Sequence, residues 1–229
     1  MILGFISDIH IPMYSHDAYR MLTIPLPQID VLMIAGDLTK KGVWKPFIEW
    51  YKKMKHVWKP KHVIAVWGNA DKTPVRQYLP RALPEVIFLE DQTYSIGNIT
   101  IIGTEGVLDK PTRWQLKNIP NVLQMYEKRR EWISTTIKKH TTTILLTHYG
   151  VCKNTIEKSS DIGGLTSIKL CESLRTNPPT LTVHGHSHHA TVYKTMEPFP
   201  IYNVALPIHG KPVLIDSETF EEIKVGLFA

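Results

Sequence analysis

At 229 residues, 43% hydrophobic and 21% charged, the chain has ordinary globular composition, long enough for one large domain or two small ones. No apolar run approaches the roughly 20 residues of a bilayer-crossing helix, and the start, MILGFISDIH, has neither a basic leader nor a small-residue cleavage site, so neither membrane nor signal peptide is expected. Two cysteines, Cys152 and Cys171, do not make a disulfide framework and point to a reduced, cytoplasmic setting, while a net charge of +6 and a pI near 9.2 suit a soluble protein with phosphate-rich partners.

The first apolar run, ILGFI at 2–6, reads as a buried strand and is followed by Asp8 and His10. A helix with a polar start is expected over 15–22, closed by Pro25 and Pro27. A second run, VLMIA at 31–35, ends in Gly36-Asp37. Residues 43–57 have helical spacing, with Trp44, Phe47, Ile48, Tyr51 and Met54 on one side. The third run, 62–67, ends at Gly68. Strand alternating with helix, and polar loops at the carboxyl ends, argue for parallel strands buried on both faces.

Further strands are expected at 86–89, 93–96 and 99–103, the last two joined by a turn at IGN. A basic, helix-rich stretch follows at about 105–140, with eight Lys and Arg against four acids. Its apolar positions Val122, Met125, Tyr126, Trp132, Ile133 and Ile137 form a core stripe. Then come a strand at 143–147, a helix at 166–174 and a strand at 180–184. Short strands at 191–195, 201–204, 213–215 and 222–225 complete the chain. With no repeat, low-complexity segment or linker, a single domain over 1–229 is expected: an α/β sandwich of two sheets with helices outside.

Chemistry concentrates where the runs stop. Asp8 and His10 follow the first run, Asp37 the second, Asn69 and Asp71 the third, His148 the run TILLT, and His184, His186 and His188 the run TLTV. In open α/β sheets the strand carboxyl ends line the ligand crevice. A single strand-end Asp is usually a turn or a helix cap; five strand ends that each deliver a metal-ligand type are a site. Asp8, His10, Asp37, Asn69, His148, His186 and His188 are seven side chains, too many for one zinc and suited to two ions sharing a carboxylate. The mixture of imidazole, carboxylate and amide favours Mn, Fe, Zn, Co or Ni over an all-oxygen Mg site. His184 and His189 are expected to support the ligands rather than to be ligands.

The motifs DIH, GD, GNAD, TH and GHSH, in that order, resemble the calcineurin-like metallophosphoesterases over about residues 1–205. The resemblance implies a four-layer α/β/β/α sandwich of two mixed sheets flanked by helices, with a dinuclear metal centre for which manganese is the first choice. It implies one ion held by Asp8, His10 and His188, a second by Asn69, His148 and His186, and Asp37 between them. A metal-bridging hydroxide would attack phosphorus, with Asp37, Asn69 and His148 as catalytic candidates and Asn69 also touching a phosphate oxygen. The chain departs from the pattern at Ala70, where the family usually has a His that stabilises the transition state or protonates the leaving oxygen.

A phosphate-ester substrate is therefore expected, diesters favoured and a nucleotide among the candidates. A monoesterase, a nuclease and a non-enzymatic scaffold of the same fold are the alternatives. His209, His16 and Arg113 are candidates to fill the gap at Ala70, though surface or turn roles are the ordinary reading of each; Arg113, Trp114 and Lys117 either overhang the site, binding a phosphate or stacking on a base, or form a solvated basic helix entry. No spaced series of basic and aromatic residues beyond this patch marks an extended nucleic-acid groove. Asp71 is expected to orient a ligand or its loop.

Overall fold

In the computed structural model, which describes residues 1–224, the apolar runs become strands whose side chains fill both faces of two sheets. β1 (Ile2–Ile6), β2 (Val31–Ala35), β3 (His62–Val66) and β4 (Val86–Leu89) lie side by side in parallel. β2 is buried at every position, as a central parallel strand covered on both sides must be. The second sheet is built from β5 (Gln92–Ile96), β6 (Ile99–Thr104), β7 (Thr143–Thr147), β8 (Leu181–His184), β9 (Lys194–Thr195) and β10 (Ile201–Asn203). Its order is β5-β6-β7-β8-β10-β9, with β6, β7, β8 and β10 parallel and the two edge strands antiparallel. β11 (Val213–Asp216) returns to the first sheet, antiparallel to β1.

Among the described residues, seven helices cover these sheets: α1 (Ser15–Arg20), α2 (Lys45–Trp58), α3 (Thr73–Ala82), α4 (Arg113–Asn118), α5 (Val122–Ile137), α6 (Ile168–Leu174) and α7 (Leu206–His209). One apolar core lies between the sheets, where Phe5, Met33 and Ile64 meet Ile101, Leu146 and Val183. A second packs Phe47, Trp50, Tyr51 and Leu79 from α2 and α3 on the outer face of the first sheet. A third packs Tyr126, Ile133 and Leu174 from α5 and α6 on the outer face of the second. The layers are therefore α/β/β/α, two mixed sheets flanked by helices, as expected.

Several elements differ from expectation. α3 lies in a stretch for which no element is expected; Pro74 falls in its first turn, where the missing N–H would be unpaired anyway, and Val75 and Leu79 are buried. The helix expected over 15–22 ends at Arg20 and tightens into a 3₁₀ turn at Met21–Thr23. Of the strand expected at 222–225, Glu222 makes an isolated bridge to Ile215, and Val225 lies outside the described residues.

The largest correction concerns the cysteines. Cys152, four residues beyond His148, is disulfide-bonded to Cys171 on α6, with the Cα atoms 5.2 Å apart. Both are buried. Packing of α6 against the loop after β7 brings them together across 19 residues, which a count of two cannot reveal. The reduced setting inferred from that count loses its support. No helix among the described residues is long and apolar enough to cross a membrane.

Candidate metal centre

The loops that leave the strands turn sharply, and the turns are made by the chemical residues themselves. Asp8, His10, Asp37 and His186 have φ of 56°, 45°, 52° and 68°, in the left-handed region where a side chain costs about 1–3 kcal/mol. Gly68 lets the loop after β3 lie directly on Asp37: a Cβ there would overlap the Asp37 amide nitrogen and carboxylate. Gly185 plays the same part for Ser7 and Asp8.

Asp8 and Asp37 each have one oxygen held by protein donors and the other turned toward imidazoles. Asp8 Oδ2 accepts from the Ser7 hydroxyl at 2.6 Å and the His186 amide at 2.9 Å. Asp8 Oδ1 faces His188 Nε2 at 2.9 Å and His10 Nε2 at 3.8 Å. Asp37 Oδ1 accepts from the Ala70 amide at 2.7 Å, and Oδ2 lies 3.2 Å from His10 Nε2 and 3.5 Å from His148 Nε2. His148 donates from Nδ1 to the Ala35 carbonyl at 3.0 Å, so its lone pair is on Nε2. That lone pair points at Asn69 Oδ1, 3.0 Å away.

Two triplets, Asp8–His10–His188 and Asp8–Asp37–His148, bring their ligand atoms within 4.8 Å of one another. Asp8 belongs to both triplets, Asp37 Oδ2 lies between His10 and His148, and Asn69 touches His148. The His186 ring lies beside them, edge-on to His148 with centroids 5.0 Å apart. The seven expected ligands thus lie together, with Asn69 and His186 outside the two triplets.

The donor set fits cations. Imidazole nitrogens that face carboxylate and amide oxygens across about 3 Å share a proton when no ion is bound and can each ligate a cation when one is. His10 Nδ1 is also buried without a hydrogen-bond partner, although the ring is held against two carboxylates. Burial pushes His10 down to about 4 and His186 down to about 3, keeping both neutral, the form that ligates. Burial likewise opposes the charged form of His148, but Asp37 and Asp8 outweigh it and raise its pKa. Burial would raise Asp8, yet the His188 hydrogen bond and the nearby rings hold it below the usual carboxylate range. Asp37 is raised, first by burial and next, among the groups that push upward, by Asp8.

Behind this floor, Asp71 ties two loops together. It accepts from the amides of Leu38, Thr39 and Gly68 at 3.2, 3.0 and 3.1 Å, and from the Thr39 hydroxyl at 3.1 Å. Burial, then the neighbouring Asp37, raises it to about 6. Arg76 joins the sheets: it donates to the Asp71 and Gly68 carbonyls after β3 and to Glu105 after β6. His184 is structural, accepting the Thr155 hydroxyl at 2.7 Å and donating to the Gly185 carbonyl at 2.8 Å. The His189 amide donates to Glu157 at 3.1 Å.

A cavity of about 570 Å³ opens beside Asn69 and His186. Lys72, Arg76, Glu105, Trp114 and Tyr149 are among the residues that line it. Trp114 is on this wall, but its neighbour Arg113 is exposed and off it. One residue along a helix is about 100° of rotation, so adjacent side chains take different surroundings. His209 is also elsewhere: it bonds the Asn203 carbonyl at 2.8 Å and packs on Tyr193. Sequence reasoning missed Lys72 and Arg76, and also Tyr14, whose ring lies 5.7 Å from His10 and 6.1 Å from His188. The spacing of Lys72 and Arg76 behind GNAD, three and seven residues after Asn69, was the one signal that pointed to them.

A family model described as calcineurin-like phosphoesterase matches residues 1–190. Among solved structures, a phosphopantetheinyl hydrolase from Mycobacterium tuberculosis is similar at 14% identity, over 90% of each chain, with a TM-score of 0.62. A second solved structure is similar at 11% identity, over 97% of each chain, with a TM-score of 0.63. No curated protein matches the sequence.

Proposed function

The chain belongs to the calcineurin-like phosphoesterase family, and from that premise we propose that it hydrolyses phosphate esters with two divalent metal ions, diesters in preference to monoesters. The proposal assigns Asp8, His10 and His188 to one ion, Asn69, His148 and His186 to the other, and Asp37 to both. The observation that carries it is the division of labour within Asp8 and within Asp37, one oxygen held by the protein and one left for a cation. Hydrogen bonds of that kind orient a ligand before the ion arrives. The donor mixture suits Mn, Fe, Zn, Co or Ni, and manganese is the first choice by the family resemblance.

Two bound cations would polarise the phosphoryl oxygens and acidify a water. The chain's own residues do the rest. Asp37 and His148 hold the centre of the cluster, and the Asn69 amide is placed to contact a phosphoryl oxygen. Ala70 contributes an amide to Asp37 but offers the leaving group only a methyl. General acid catalysis typically supplies 10²–10⁴-fold, so esters with good leaving groups are favoured. The cavity beside Asn69 gives the second arm of a diester room, with Trp114 as a face against which it stacks.

The test is turnover of bis-p-nitrophenyl phosphate against p-nitrophenyl phosphate by the pure, manganese-loaded protein. Chelation is expected to abolish turnover and Mn²⁺ to restore it best, with the diester the faster substrate. No turnover above an Asp37→Ala control overturns the assignment; a faster monoester overturns the preference.

A further inference from the structure

We infer that Lys72 carries the catalytic charge missing at Ala70: its ammonium meets the leaving oxygen of the ester. The inference rests on the phosphoesterase reading above and names a residue that reading leaves out.

Three cations line the cavity beside Asn69 and His186: Lys72, Arg76 and Arg129. Arg76 is engaged by Glu90 at 3.2 Å, Glu105 at 2.9 Å and two carbonyls. Arg129 is engaged by Asp91 at 2.8 Å and the Gly106 carbonyl at 2.8 Å. No carboxylate among the described residues lies within ion-pair distance of Lys72. Its Nζ donates one hydrogen bond, to the Asn69 carbonyl at 2.8 Å, and sits over the Trp114 ring, 4.6 Å from the centroid. Two N–H groups remain for an anion.

These two contacts fix a flexible side chain. The carbonyl of a proposed metal ligand holds it at one end of the cavity wall, and the indole face holds it from the other side. Lys72 follows Ala70 by two residues on the same loop. A positive charge is thus preorganised on the wall next to the position whose side chain is missing. His209 and Arg113 do not line this wall.

In the reaction, the oxygen of water forms a bond to phosphorus. The bond from phosphorus to the leaving oxygen breaks, and its electron pair stays on that oxygen, which takes a proton from solvent while the attacking water releases one. Lys72 offsets the developing negative charge and keeps its own proton. Such a charge matters most where the leaving oxygen is most basic. Loss of one preorganised donor to a developing oxyanion typically slows a reaction by about 10²–10³-fold.

The experiment compares the manganese-loaded full chain with Lys72→Met and Lys72→Arg. The substrates are methyl phosphodiesters whose leaving group runs from p-nitrophenol through phenol to a simple alcohol. Lys72→Met is expected to lose about 10²-fold in kcat on the alcohol and less than about threefold on p-nitrophenol. Lys72→Arg, which keeps the charge on a differently shaped head, is expected to lose less on the alcohol than Lys72→Met. Because Lys72 is exposed, both variants should fold, with the melting temperature and the calorimetric Mn²⁺ affinity of the parent. An equal loss on every leaving group, no loss at all, or weakened Mn²⁺ binding by Lys72→Met overturns the inference and leaves the phosphoesterase reading standing. No turnover by the parent overturns both.

Discussion

Asp8, Asp37 and His148 are at most 2% exposed, whereas Trp114, on the wall of the adjoining cavity, is 55% exposed. The floor of the site is held by two hydrogen bonds on Asp8, one on Asp37 and four side chains in left-handed backbone. The wall is held by one lysine on one carbonyl and one ring. Burying charge and straining backbone are tolerable only where the surroundings over-determine the geometry. The floor therefore admits one arrangement, and the wall rests on the two contacts that hold Lys72. Small changes to the floor should act on every substrate, and changes to the wall on some.

The predictions run from the floor outward. Asp37→Ala removes the carboxylate that lies between the two ligand groups and should reduce turnover to background with any ester. Gly68→Ala sets a methyl against the Asp37 backbone and carboxylate, and displacement of about 1 Å costs on the order of 10²-fold. Its kcat should fall by at least that much on aryl and alkyl esters alike, and selective loss would show that the floor is not rigid. Asp71→Asn exchanges an acceptor of four hydrogen bonds for a group with an acceptor and a donor end, so one set of donors meets a donor. Manganese titration should show about 10–100-fold weaker binding, as for other outer groups that orient ligands, with activity recovered at high metal. Trp114→Leu should have the smallest effect: about two- to fivefold in KM for esters carrying an aromatic arm, from a stacking contribution of roughly 0.5–1 kcal/mol, and a kcat loss on dialkyl esters smaller than that of Lys72→Met, because the Asn69 carbonyl still holds the lysine. A loss on dialkyl esters as large as that of Gly68→Ala would place Trp114 with the floor.

The floor was also the legible part. β1, β2, β4 and β7 occupy the residues their apolar runs predict, because a strand that packs against a core on both faces must be largely apolar. The ligands follow directly, since each stands one to four residues past a strand end and the polar break in the run marks it. The wall was only partly legible. Trp114 and Arg113 are adjacent in sequence and alike in promise, and the phase of α4 alone separates them. Lys72 looked like any loop lysine until Trp114, from 42 positions away, came to rest against it. α3 was not legible, and the cost of its two prolines depends on their place within the helix.

By itself, then, the sequence determined the class of fold, the five loops that carry the chemistry and the residue types that meet there, because these are written in local pattern: apolar runs, their ends and the polar residues just beyond them. Only the tertiary structure decided which oxygen of each carboxylate is tied and which is turned to the imidazoles, that Arg76 ties one sheet to the other, that Cys152 bonds Cys171, and that a lysine stands beside the missing imidazole. Each of those is a contact that the packing of two sheets, their helices and their loops sets, and no local pattern records it.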